Sequence, residues 1–487
     1  MSKRIVQKSL FTHSLSAQQH RWLLLVLGHL SFLVLGILSL VYYQERMLHF
    51  DTANYAYHLI YFQDFYTGHG RYVSYLPQLL PLWAARAGLS LSTILQLYSL
   101  SFILLYYGIY LSIVYGFRNL SGGLFLVLAL ILTLRYKFYA PVGEVVTSIA
   151  FVGLIFGLLS SDWYARSGRR WLKSGLAILL SALFVFIHPF GMVSLAAVWL
   201  IWLVYSGRWR KWREYILPFS WLLVWGGRSV IKGAGTSYES GRLASLSEAG
   251  SFLLKLSDYY VWDRFLWYLT SHYTLPLLLF VGVLLYLSVK GKWLTALLAT
   301  LSWVGIAVLV LILHSYLNGP IYIMLDGYLA HLGVVMALVF VLPFGKSRSI
   351  WAGLLFLVLI AFSLDRIRGV HRYYAEREHL LLNIIAGNST PDEAKLLSHM
   401  DAFDYDRLWL PWAIGIETHL MSSLKKPEQP QTLYFQNHGQ ELDELLSKPD
   451  AFLSIQYAPD TFKVKDFPPQ LFLPKGDYKR VDLKGRY

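Results

Sequence analysis

No cysteine occurs anywhere in the 487 residues. Disulfides and thiolate metal sites are therefore excluded, and a large lipid-supported core needs neither. Charge is scarce as well. Only 15% of the residues are Asp, Glu, Lys or Arg, where a soluble domain carries about a quarter, so much of the chain faces something other than water. The chain has no phosphate-binding glycine loop, no GxSxG elbow, no HExxH and no kinase signature. ATP-driven transport thus has no support within this chain. There is no internal repeat and no low-complexity tract.

Apolar and aromatic residues are abundant, at 56% hydrophobic and 16% aromatic. Runs such as Trp22–Tyr43, Leu97–Phe117 and Trp293–Leu313 have the length and apolarity of helices crossing a hydrocarbon layer roughly 30 Å thick. In lipid the backbone must satisfy itself, so such runs are helices. The first run is too long for a signal-peptide core and has no small-residue cleavage site after it, so it reads as an anchor. About eleven crossings are expected, at 22–43, 97–117, 120–134, 142–160, 174–188, 190–206, 215–228, 267–289, 293–315, 322–344 and 350–365.

The +14 net charge invites a nucleic-acid reading, but its distribution argues against one. With the N-terminus inside, seventeen Lys and Arg fall in cytoplasmic segments against only Asp162 and Glu214. Outer segments up to Asp365 hold ten basic and ten acidic residues. This is the positive-inside asymmetry, an orientation signal with no nucleic-acid partner. Two long outer loops, about 44–96 and 229–266, carry aromatic stretches (Tyr55–Phe65, Ser251–Trp267) that read as helices lying along the interface.

The division expected is a transmembrane bundle over 1–365 and an outer domain over 366–487, whose 16 basic and 17 acidic residues nearly cancel. In that tail His371–Ile385 has helical spacing, and Thr390-Pro391-Asp392-Glu393 reads as a helix start. Arg407–Leu410, Thr432–Phe435 and Ala451–Gln456 read as strands and Gly439–Leu446 as another helix. The fold class is therefore a polytopic α-helical membrane protein with a small C-terminal α/β domain on the outer side.

Ionisable residues at membrane depth are costly, which makes each a functional candidate, and here they gather at the outer ends of the expected crossings. Asp51 follows the first helix and precedes an expected interfacial helix. It suits a base that deprotonates an acceptor hydroxyl, or equally a helix cap. Arg71 and Arg228 sit at the lipid–water boundary, where they suit a phosphate or snorkel to headgroups. Arg135 and Lys137 join two crossings, with Glu144 just after them, as a structural ion pair or part of a ligand pocket. His188-Pro189 marks a tight outer turn. His58, Asp64 and His69 complete the candidate substrate pocket. Asp51, Asp64 and Glu144 could in principle meet around a divalent cation such as Mg or Mn, although no spacing demands one.

This plan resembles the GT-C superfamily of integral-membrane glycosyltransferases. The likeness rests on a lone first helix, a long first outer loop with an early acid (Asp51-Thr-Ala-Asn-Tyr55), the Arg71–Pro81 stretch, a multi-helix bundle and an outer α/β tail. It looks most like the bacterial branch of dolichyl-phosphate-mannose-protein-mannosyltransferase-like and lipid A aminoarabinose transferase enzymes. The resemblance implies inverting transfer of a sugar from a polyprenyl-phosphate carrier to a glycan, lipid or protein acceptor at the outer face of a bacterial inner membrane. Asp51 would take the acceptor proton, and Arg71, Arg228 or the Arg135/Lys137 pair would hold the leaving phosphate. Many members carry two neighbouring acids in the first loop, whereas Asp51 is followed by Thr and Ala. The rival readings are a lipid-linked glycan polymerase or ligase, and a lipid-linked-sugar flippase.

Overall fold

The computed structural model describes residues 15–484 except 69, 166–169, 232–245, 316–321, 391–392, 401–407, 449–450 and 464–465. The first helix, α1 (Ala17–Val41), starts with a capping box: Ser16 accepts from Gln19 N–H while Gln19 accepts from Ser16 N–H. Its 25 residues span about 37 Å. One face, including Leu24, Leu27, Ser31, Leu35 and Leu38, is buried, while Trp22, Val26, Leu30, Leu33 and Ile37 form an exposed apolar stripe. An exposed apolar stripe of this kind is compatible with a helix that faces lipid.

Two short helices follow, α2 (Tyr43–Met47) and α3 (Phe50–Phe62). The chain then returns through α4 (Leu79–Arg86) to α5 (Leu91–Leu111). At the centre stands α6 (Leu120–Ile131), buried from Gly122 to its end, packed on α7 (Glu144–Leu159) and on the Tyr322–Phe344 helix. Glycines permit that closeness. A Cβ at Gly122 would stand 2.9 Å from the Gly157 Cα, and one at Gly153 would meet Leu126 at 2.6 Å. Gly153 and Gly157, one turn apart on α7, form the small-residue pair that lets membrane helices approach.

All eleven segments expected to cross are helical over most of their length, but not all are long enough to span. Among the described residues five helices have the length and apolarity of a crossing, or six if Tyr260–Ser271 and Thr274–Val289, bent by 79°, count as one. Leu120–Ile131, Glu144–Leu159, Leu172–Ala182 and Phe190–Tyr205 are apolar but shorter. The turn after Leu120–Ile131 is buried throughout, from Leu132 to Ala140, and irregular backbone covered by protein is tolerated at membrane depth.

The tail begins with the helix His371–Asn388 and builds a parallel three-stranded sheet of order β2-β1-β3. β1 is Lys395–His399, β2 Thr432–Gln436 and β3 Tyr478–Arg480. β1 aligns Leu396 with Leu433 and Leu397 with Tyr434, and the crossover to β2 is the helix Ile414–Lys425. The first four residues of both strands are buried, as expected of a parallel sheet covered on both faces. One hydrophobic core runs unbroken from Leu24 in α1 to Leu483, so tail and bundle pack as one body.

The structure departs from three expectations. The stretch taken for an interfacial helix at Tyr55–Phe65 is α3, which starts five residues earlier and is buried from Thr52 to Tyr61 between bundle and tail. Its polar groups find tail partners: Tyr57 Oη meets His419 Nδ1 at 2.8 Å and Tyr61 Oη donates to Lys463 O at 2.8 Å. No helix starts at Thr390; Thr390 bridges Glu393 and β1 follows, because Leu396 and Leu397 have a parallel partner strand. Residues 408–410 and Ala451–Gln456 are not strands, whereas Thr432–Phe435 is.

Candidate functional site

Asp51 occupies the first turn of α3, with His49 at the cap position and no side-chain cap bond there. Capping comes from far away: Glu417 Oε1 accepts the Phe50 N–H at 2.5 Å. Glu417 is itself held by Arg377 at 2.7 Å, and Arg377 also reaches His49 Nδ1 at 2.7 Å and donates to Leu408 O. Phe50 is in the left-handed region at φ 52°, a conformation costly for an L residue. The tail thus fixes the entry of α3 and leaves Asp51 exposed one residue later. Burial pushes the Glu417 carboxyl up, against the pull of Arg377 and the Phe50 N–H.

Opposite Asp51 lies the turn 135–141. Asp326 anchors it by accepting the N–H groups of Arg135 (3.0 Å) and Lys137 (2.9 Å) and the Tyr273 hydroxyl (3.0 Å). Arg46 donates to Phe138 O and, at 2.7 Å, to Ser99 Oγ, tying the turn to α5. Lys137 is buried with its stem against Gly143, where a Cβ would stand 2.4 Å from Nζ. Burial pushes the Lys137 ammonium down, and the carboxylates of Asp51, Glu144 and Asp326 act in the opposite sense. Those three acids and Lys137 therefore form one electrostatic cluster. Tyr55, Tyr66 and Tyr457 also lie within reach of the Asp51 charge.

Arg71 and Glu144 pair at 2.5 Å with only 11% and 10% of their side chains exposed. Tyr55, Tyr98, Gly143, Glu144 and Thr147 line a cleft of about 10 Å³ beside that pair, which is room for roughly one water. Several buried polar atoms on α3 and at the ion pair hydrogen-bond nothing: Thr52 Oγ1, Asn54 Oδ1 and Arg71 Nε. Native interiors pair nearly all such groups, so this concentration marks a place where polar atoms wait for a partner.

The structure thus brings together Asp51, Arg71, Lys137 and Glu144, with Arg135 on the far side of Asp326. It does not bring in the rest of the expected pocket. His58 stacks on Tyr66 at 3.8 Å and packs against Phe62 and Phe462, and burial pushes its imidazole down to about 4. Asp64 lies past the other end of α3, exposed, and pairs with Arg86 at 3.7 Å. His188 accepts the Phe190 N–H at 3.2 Å, with Tyr328 Oη 3.2 Å from its Nε2, and so serves the turn. His69 lies outside the described residues, and Arg228 sits on the Ile216–Ile231 helix with its side chain likewise outside them. Among the described residues no group of three or more His, Asp or Glu could hold a metal ion. Asp64 lies past the far end of α3 from Asp51, so Asp51, Asp64 and Glu144 do not meet around one ion.

Sequence reasoning missed the roles of Glu417, Arg377 and Arg46. No local signal marks Glu417, which meets α3 across 367 residues. Asp326 had a signal, as an acid near the end of an apolar run. Comparison with protein-family models, with curated proteins and with solved structures finds no match.

Proposed function

We propose that this chain is a multi-pass membrane glycosyltransferase that moves a sugar from a polyprenyl-phosphate carrier to a glycan, lipid or protein acceptor. The reading places the N-terminus in the cytoplasm and the site and tail on the outer, periplasmic side, in accord with the charge asymmetry of the loops. The observation that carries it is the gathering of an exposed carboxylate, Asp51, and the buried Arg71–Glu144 pair within electrostatic reach of the buried Lys137 at one end of an apolar bundle.

In this reading Asp51 accepts the proton of the acceptor hydroxyl. The hydroxyl oxygen attacks the anomeric carbon, the bond from that carbon to the phosphate oxygen breaks, and the polyprenyl phosphate leaves with inverted configuration at the sugar. Lys137 stabilises the charge that grows on the leaving phosphate. Arg71 is engaged by Glu144, so its part is to set that carboxylate, with Nε left to meet the substrate. A metal has no role in this scheme.

The test is transfer from a panel of polyprenyl-phosphate-linked hexoses by purified Asp51→Asn protein. Loss of transfer by roughly a hundredfold or more, with an unchanged melting temperature in detergent, is expected. Full transfer by a well-folded Asp51→Asn protein would overturn the base assignment.

A further inference from the structure

The helices that hold the candidate site at one end also enclose a second cavity at the other. The starts of α1 and α6, the end of α7, and the junction between Tyr322–Phe344 and Ile350–Arg368 converge on a cup of about 290 Å³. Since α1 is 25 residues long, cup and site lie about 35 Å apart. Four cations line the cup, Arg21, Arg118, Lys346 and Arg348, against one carboxylate, Asp162.

None of the four cations makes a salt bridge or a side-chain hydrogen bond among the described residues, and all four are exposed. What sets these four apart is that they converge on one cavity whose lining holds a single carboxylate. Arg118 holds a left-handed backbone at φ 54°, which places a strained residue on the rim. His20 adds a directed group: its Nε2 lies 3.3 Å from Gly345 O, while its buried Nδ1 has no partner. The three helix starts here are already capped by Ser16, Asn119 and Ser349, so the attraction for anions comes from the side chains.

The neighbours of these cations say which anion. Trp22 follows Arg21 and is 59% exposed, and Trp351, shortly after Arg348, is 54% exposed. Both stand on the two helices, α1 and Ile350–Arg368, that pack together beside the cup. Exposed tryptophans beside basic residues are the signature of the headgroup level of a bilayer. From Trp22 the exposed stripe of α1 continues along the bundle through Val26 and Leu30, as a bed for an acyl chain.

We propose that the cup is a binding site for the phosphate of an anionic phospholipid headgroup, held by Arg21, Arg118, Lys346 and Arg348 with His20 Nδ1 beneath. Basic pockets between transmembrane helices on one face of a membrane suit such headgroups. The inference does not depend on the sugar-transfer reading.

The test uses the full-length protein in phosphatidylcholine–detergent micelles, with phosphatidylglycerol titrated in and retention read by native mass spectrometry. Wild type should retain phosphatidylglycerol in preference to phosphatidylcholine, and inorganic phosphate at equal concentration should not displace it. The double variant Arg118→Gln/Arg348→Gln should weaken that retention roughly thirtyfold. A control with two cations removed outside the cup, Lys290→Gln/Lys292→Gln, should change it little. Equal loss in the control would reduce the effect to general surface charge and overturn the site. Displacement by inorganic phosphate would overturn the lipid assignment, as would equal retention of phosphatidylcholine. Because displacement is read on the wild type, a poorly folding variant leaves the proposal open to refutation.

Discussion

Lys137 is buried within electrostatic reach of three carboxylates, and its neighbour Gly143 sets how it fits. Gly143 gives its stem room. Gly143→Ala would put a methyl 2.4 Å from Nζ, and because that end of the side chain is flexible the ammonium moves aside. We expect a modest fall in stability, about 1 kcal/mol, with a disproportionate loss of transfer, seen by comparing melting temperature with turnover. Lys137→Met removes the cation itself. It should lower turnover by about 10²–10³-fold and weaken binding of the phosphate-bearing donor more than of the acceptor. An equal loss for both would remove Lys137 from phosphate binding. The placement of Lys137 in the turn between two apolar runs was legible in the sequence. Its separation in role from Arg135 was not, because that depends on Asp326 pinning both N–H groups of one turn.

At the scale of elements, α3 shows how far a sequence pattern reaches. Its helical spacing is real, but aromatic residues with polar tips look the same on an interface as between two domains. Only the tail partners decide, and they lie hundreds of residues away. The same limit explains Thr390, whose local cap chemistry lost to parallel pairing between β1 and β2. The eleven apolar segments were legible as helices because length and composition suffice for that. Whether each one spans was not legible, because that depends on burial by neighbours.

Two outcomes follow for α3. Glu417→Ala strips the cap from Phe50 and leaves Arg377 as a buried unpaired charge. Breaking such a pair costs about 3–5 kcal/mol, which a thermal melt in detergent would register, whereas Glu417→Gln keeps an acceptor and should cost less. The second outcome concerns acid. His58 lies on α3 and His419 on the helix packed against it, and burial pushes both imidazoles from 6.5 down to about 4. The unfolded chain therefore takes up protons first, so stability is present above about pH 6.5 and drains as the pH falls towards 4. Each ring contributes on the order of 3 kcal/mol at full effect. His58→Phe should flatten the decline of melting temperature across that window, and an unchanged slope would clear His58 of it.

For the molecule as a whole the absence of cysteine becomes a tool. A single cysteine placed at Ser447 in the tail or at Ser206 beside Arg208, both exposed, would be the sole thiol in the protein. In intact cells an impermeant maleimide should label Ser447→Cys and spare Ser206→Cys until lysis. The opposite pattern would invert the orientation and place Asp51 on the cytoplasmic side.

The cap that Glu417 supplies to Phe50 also sets a clock on biogenesis. Phe50 leaves the ribosome 367 residues ahead of Glu417, an interval of about 20–70 s at ordinary rates of synthesis. During that time the helix bearing Asp51 has a membrane bundle behind it and nothing in front. Asp51 is seated only when the last quarter of the chain has been delivered to the same side and has folded against α3. A truncated or stalled product therefore reaches the membrane with its helices in place and the entry of α3 unheld.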